Sequence, residues 1–142
     1  MKKLKEQVAQ KDGVHANSDY TNEDSAQKDA YNNALKQAED IINNSSNPNL
    51  NAQDITNALN NIKQAQDNLH GAQKLQQDKN TTNQAIGNLN HLKKKKKDAL
   101  IQAINGATSR DQVAEKLKEA EALDEAMKQL EDQVNQDDQI SN

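Results

Sequence analysis

Apolar residues recur along this chain at three- and four-residue steps, and over no useful length at two. Tyr31, Ala34, Leu35, Ala38, Ile41 and Ile42 form one stripe. A second runs through Ile55, Ala58, Leu59, Ile62, Ala65, Leu69, Ala72 and Leu75, and Thr82, Ala85, Ile86 and Leu89 continue it. Ala99, Leu100, Ala103 and Ile104 make a short third, while Val113, Leu117, Ala120, Leu123, Met127, Leu130 and Val134 make the last. This spacing places each set on one face of an α-helix. The fold class is all-α.

Helix punctuation agrees with the stripes. In "NPNLNAQDI" Pro48 marks a loop and Asn51 an N-cap, with Leu50 and Ile55 positioned as a hydrophobic staple. "TSRDQV" repeats the device with Ser109 as cap and Gln112 three residues on, and "DSAQ" at 24–27 is a weaker start signal. Gly13 and Gly106 lie near expected stops. The pattern predicts helices over 2–12, 25–44, 52–90, 94–105 and 110–136. Gly71, in "LHGAQ", falls inside the third; a helical Gly costs only about 1 kcal/mol relative to Ala, and no Pro or polar cluster accompanies it. The expectation is therefore one continuous helix through Gly71, nearly 60 Å long at about 1.5 Å per residue, with a break at Gly71 as the alternative.

The two ends of the chain resemble each other. "MKKLKEQVAQKD" at 1–12 and "MKQLEDQVNQDD" at 127–138 share seven of twelve positions, Met, Leu and Val among them, and Val14 matches Ile140 beyond the helix. Residues 2–12 are expected to close one three-helix bundle with 25–44 and the first half of 52–90. Residues 110–136 close a second with 94–105 and the second half. In a longer chain the last helix would open the next copy of the first bundle, which is the signature of a tandem array. The predicted architecture is an elongated rod of two bundles, 1–70 and 71–142, sharing the helix 52–90 across their boundary.

Composition sharpens this picture. Leu, Ile and Val together supply only 24 of 142 residues, Tyr20 and Tyr31 are the only aromatic residues, and Cys is absent. A lean core of this kind borders on the composition of disordered chains, but the net charge of -4 is too small for that class, and the helical periodicity decides. Without Cys, no disulfide framework or thiolate chemistry is available. No apolar run reaches the roughly 18 residues of a membrane span, and Met1 is followed by a polar amphipathic segment rather than a signal sequence.

The candidate chemistry is sparse. The run Lys93–Lys97 invites a reading as a phosphate-binding patch, but residues 110–138 carry ten acids against four bases and no aromatic ring is at hand for base stacking. A solvated charge run is expected, with no specific nucleic-acid binding. His70 and His91 would stand about 30 Å apart on a continuous helix and His15 lies in an expected loop, so the histidines make no metal site. Asp124 and Glu125 are expected as surface acids. Tyr31 opens an apolar stripe and belongs to the core, whereas Tyr20, in the polar stretch "NSDYTNED", suits either core or contact. No catalytic, cofactor-binding or metal-binding residue is assigned, no cofactor is expected, and the partner-contacting residues are left unassigned.

The stretches "AEDIIN", "NPNLN" and "LHGAQ" within 31–71 resemble the FIVAR module of giant staphylococcal cell-surface proteins. "NTTNQAIGNLNHL" and "INGATSRDQV" resemble the GA module that alternates with it, although "KKKKK" at 93–97 stands where that family shows mixed polar residues. The resemblance implies tandem three-helix bundles, no enzymatic activity, a cell-wall location, and weak multivalent attachment to host extracellular matrix, with fibronectin the favoured partner and a role in biofilms. Albumin binding by related GA modules uses an apolar surface on the second and third helices; the absence of any aromatic residue from 71–142 argues against it here. The competing reading is a stalk repeat that binds nothing and projects other adhesive regions. The chain by itself is expected to be monomeric.

Overall fold

In a computed structural model, the chain is described from Met1 to Ser141, with side chains described through Asp138; Ile140 therefore lies outside the described side chains. Eight helices and no strand occur among the described residues: α1 Lys2–Ala9, α2 Lys11–Ala16, α3 Ser18–Thr21, α4 Ser25–Asn43, α5 Ala52–Asp67, α6 Gly71–Gly87, α7 Lys94–Asn105 and α8 Arg110–Ser141. They divide into two compact units, Met1–Lys74 and Leu75–Asn142.

In the first unit α1, α4 and α5 pack pairwise against one another. Their meeting faces bury Leu4, Tyr31, Ala34, Leu35, Ala38, Ala58, Ile62 and Ala65, and Val14 and Leu69 close the same cluster. Burial of this apolar set, at roughly 25 cal/mol per Å² removed from water, is the main term holding the helices together. The capping signals act as the sequence implies: the Asn51 side chain accepts the Asp54 N–H at 2.9 Å. Asp24 stands at the start of α4, but its side chain makes no cap hydrogen bond.

In the second unit α6, α7, α8 and the turns between them contribute to one core through Leu75, Ile86, Leu92, Leu100, Ile104, Ala107, Val113 and Ala120. Ser109 Oγ accepts the Gln112 N–H at 3.2 Å, and Gln112 Oε1 reaches back to the Thr108 N–H at 2.8 Å, a reciprocal cap at the start of α8. Gly106 caps α7.

Three expectations need correction. The continuous helix 52–90 is broken: α5 ends at Asp67, Asn68–His70 form a turn, and α6 begins at Gly71. The cause is tertiary. Leu69 turns into the core of the first unit at 5% exposure. Gly71 comes so close to the α3–α4 junction that a Cβ would lie 2.5 Å from the Ser18 carbonyl oxygen, 2.6 Å from that of Asp19 and 2.6 Å from the Glu23 nitrogen. The missing side chain is what allows this approach; no glycine adopts positive φ.

Second, the segment after residue 12 is helical rather than a loop. Gly13 sits inside α2 with open space around it, the first helix yields instead at Gln10, and Asn17 separates α2 from α3 with its side chain accepting the Asp19 N–H at 2.8 Å. His15 therefore rides on a helix. Third, the stripes lose members to solvent: Ala72, Ala99 and Ala103 are exposed, as are Leu130 at 57% and Val134 at 50%.

Candidate functional site: the groove beside the α5–α6 turn

The turn at 68–70 leaves the first amides of α6 without intrahelical acceptors, and helix starts of this kind need external partners. The first unit supplies them from the polar stretch "SDYTNED". Glu23, whose side chain is fully buried, accepts the His70 N–H on Oε2 at 2.7 Å and the Asp24 N–H on Oε1 at 2.7 Å, and it pairs with Lys74. Asp19 Oδ1 accepts the Ala72 N–H at 3.2 Å, and Asp24 Oδ2 pairs with Lys74 Nζ at 3.0 Å. Burial alone pushes the Glu23 carboxyl upward, but Lys74 and the amides of His70 and Asp24 together outweigh it and hold the group below its ordinary value. Lys74 is raised in turn, by its hydrogen bonds to Glu23 and then Asp24. A buried carboxylate with this many donors stays ionised because its partners replace the water it has lost.

Beside this clamp opens a groove of about 690 Å³, bordered by Gln10, Gly13 and Val14 on one side and by Tyr20, Leu69 and His70 on the other. Tyr20 is half-buried and fixed by a polar chain: its hydroxyl accepts from Asn32 Nδ2 at 2.9 Å, and Asn32 Oδ1 pairs with His15 Nε2 at 2.7 Å. The rings of His15 and Tyr20 meet edge to face at 4.8 Å, and those of His15 and Tyr31 at 5.6 Å. Tyr31 is wholly buried, and that burial, with Glu39 and Tyr20 nearby, raises its hydroxyl pKa. This groove has the mixed lining of a recognition surface. It gathers no nucleophile with an adjacent base, the minimum for covalent catalysis.

The lysine run behaves as a charged helix start. Lys93 stands at the N-cap position of α7 without a side-chain cap hydrogen bond, Lys94 Nζ pairs with Asp98 at 2.8 Å, and Lys97 Nζ reaches the Gly87 carbonyl at 3.1 Å. Positive charge at a helix N-terminus opposes the dipole; Asp98, one turn in, offsets part of that cost. Lys94 is raised by its hydrogen bond to Asp98.

His91 lies in the α6–α7 turn, not on a helix. Asp124 Oδ1 holds its backbone N–H at 2.8 Å, and Glu131 Oε2 stands 2.9 Å from Nδ1. Asp124 is thus a half-buried turn clamp rather than a plain surface acid. Among the described residues no group of three or more His, Cys, Asp or Glu is gathered in a way that could hold a metal ion. No helix among them is long and apolar enough to cross a membrane.

Sequence reasoning missed Glu23 and Asp19 as structural residues. The one available signal was Gly71 itself, read together with an acid-rich stretch elsewhere in the chain.

Comparison with known proteins places both halves. Residues 1–70 match the FIVAR domain and residues 72–126 the GA module. The chain is 42% identical over 139 residues, 98% of its length, to the extracellular matrix-binding protein ebh of Staphylococcus aureus strain MRSA252, and 41% identical over the same span to EbhA of strain Mu3. It spans only 1% and 2% of the length of those two relatives. A crystallised segment of EbhA from Staphylococcus aureus superposes with a TM-score of 0.81 at 28% identity, covering 96% of this chain and 53% of that one. A crystallised Staphylococcus aureus domain, described as similar to streptococcal adhesins, gives 0.77 at 29% identity, over 86% of this chain and 97% of that one. Neither the family models nor the names of these relatives describe an enzyme. With both halves accounted for, the chain belongs to the family of paired FIVAR and GA modules.

Proposed function

We propose that this chain is a repeat module of a cell-surface adhesin that binds host extracellular matrix, with 1–70 and 71–142 as its working modules and fibronectin as the partner. The observation that carries this reading is similarity to matrix-binding proteins that runs unbroken through both modules, over 98% of the chain. Each copy binds weakly. Tight interfaces are anchored by Trp, Tyr or Arg, and this chain has two Tyr and one Arg. Tyr31 is committed to the core, and Arg110 Nε is paired with Asp78 at 2.7 Å. Tyr20, which lines the groove with Lys28 Nζ 5.5 Å from its ring centroid, is the anchor left for a partner in this reading.

Weak contacts become useful in series. Tethered copies raise the effective concentration for each later contact, and avidity then exceeds single-copy affinity by orders of magnitude, about 10²–10⁴. In this reading, attachment to matrix and to biofilm surfaces rests on many such contacts acting together. The test is a titration of one, three and nine tandem copies on immobilised fibronectin. Steeply rising retention with copy number is the expected result; flat, absent binding at every copy number would leave only a stalk role.

A further inference from the structure

The five consecutive lysines at 93–97 differ in what they meet. Lys94 pairs with Asp98, and Lys97 reaches the Gly87 carbonyl. Lys93, Lys95 and Lys96 have no hydrogen-bond or ion-pair partner among the described residues. Two of these three, Lys93 and Lys96, line a cavity of about 260 Å³ in the second unit, together with His91, Leu92, Leu123 and Met127. Leu92 is buried in the core of that unit, and Leu123 and Met127 pack against it. The apolar part of the lining is therefore an opening onto the core.

The electrostatics beside this opening are unbalanced. The positive end of α7 begins at Lys94, and the N-cap residue Lys93 supplies no side-chain acceptor. Two unpaired ammonium groups add to it. The nearest acids answer other groups: Glu131 Oε2 stands 2.9 Å from His91 Nδ1, and Asp124 Oδ1 accepts the His91 N–H.

We infer that this cavity is a binding site for a single-chain anionic amphiphile. Its tail lies among Leu92, Leu123 and Met127, and its head group meets Lys93 and Lys96. Charge complementarity specifies the head, and the apolar lining specifies the tail. At about 260 Å³ the cavity is smaller than the roughly 300–1,000 Å³ of pockets for drug-sized ligands, so it takes one slender chain from solution. The inference does not rest on the matrix-binding reading, and fibronectin plays no part in its test.

Octyl and decyl sulfate, held below their micelle-forming concentrations, are the probes, with octyl glucoside as the uncharged control. Met1 and Met127 are the only methionines, one in each unit, so isotopic labelling of their methyl groups gives two reporters. Titrating the full chain with decyl sulfate is expected to move the Met127 signal saturably and to leave Met1 in place. Decyl sulfate should bind up to about fifteenfold more tightly than octyl sulfate, because each buried methylene adds about fourfold. Lys93→Gln with Lys96→Gln is expected to weaken the sulfates about tenfold and to leave octyl glucoside unchanged. Lys95→Gln, in the same run but outside the cavity lining, should change neither. All three lysines are exposed, so these substitutions leave the core intact. No saturable Met127 shift, a Met1 signal that moves with it, octyl glucoside binding as well as octyl sulfate, or a loss in Lys95→Gln equal to that of the pair would overturn the proposal.

Discussion

The two turns that flank α6 solve the same problem with unequal means. At 68–70 and at 88–93 the chain leaves a helix, and in each the backbone N–H of a histidine is held by a carboxylate from a distant element: His70 by Glu23, His91 by Asp124. Glu23 is fully enclosed and gathers a backbone amide on either side plus the Lys74 ammonium, with Gly71 fitted against the same backbone. Asp124 is half-buried and holds the one His91 amide. The same hydrogen bond therefore has different worth in the two places, because an unmet donor costs most where water cannot replace the lost acceptor.

That contrast orders the expected effects. Glu23→Ala strands buried donors at the first turn and should lower stability by about 3 kcal/mol, read as a shift of the urea midpoint at constant slope. Gly71→Ala should cost about 2 kcal/mol, because the atoms in the way are backbone. Gly13→Ala, inside α2 with nothing within 4 Å, should instead stabilise by about 0.5–1 kcal/mol. The pair is diagnostic: an ordinary helical glycine at 71 would respond like Gly13. Asp124→Ala should cost about 1 kcal/mol, and calorimetry of the two clamp variants side by side checks the ranking.

The smallest effect is the pH response. Glu23 is depressed in the folded chain relative to its ordinary value of 4.5, so its contribution is present above that value and is lost as pH falls through the folded one. Lys74 is raised above 10.5, so its contribution is present below that value and is lost as pH climbs through the folded one. Melting followed across both windows should show the acid loss disappear in Glu23→Gln.

Most of the fold was legible because helical periodicity and capping are local. All five predicted helix starts coincide with observed ones: Lys2, Ser25, Ala52, Lys94 and Arg110 stand where the stripes and caps put them. The start of α8 at Arg110 follows directly from Ser109 and Gln112. The break at 68–70 was not legible. Its agents, Asp19 and Glu23, lie 53 and 47 residues from the amides they hold. A propensity cost near 1 kcal/mol at Gly71 could not choose between a tolerated glycine and one required by close approach. The polar stretch "NSDYTNED" reads as a loop for the same reason: it buries acids that serve another element, and no periodicity records that. The groove beside Tyr20 was likewise invisible, since its walls come from α1, α2, α3 and the end of α5.

The central claim is that Glu23 ends the α5 helix by taking the His70 amide. Amide hydrogen exchange at His70, compared between the unaltered chain and Glu23→Gln, addresses it directly. A protected His70 amide that becomes fast in the variant, while Ile62 stays protected, is the predicted result. A His70 amide whose protection ignores position 23 would mean that it is bonded within an unbroken helix, and would contradict the account.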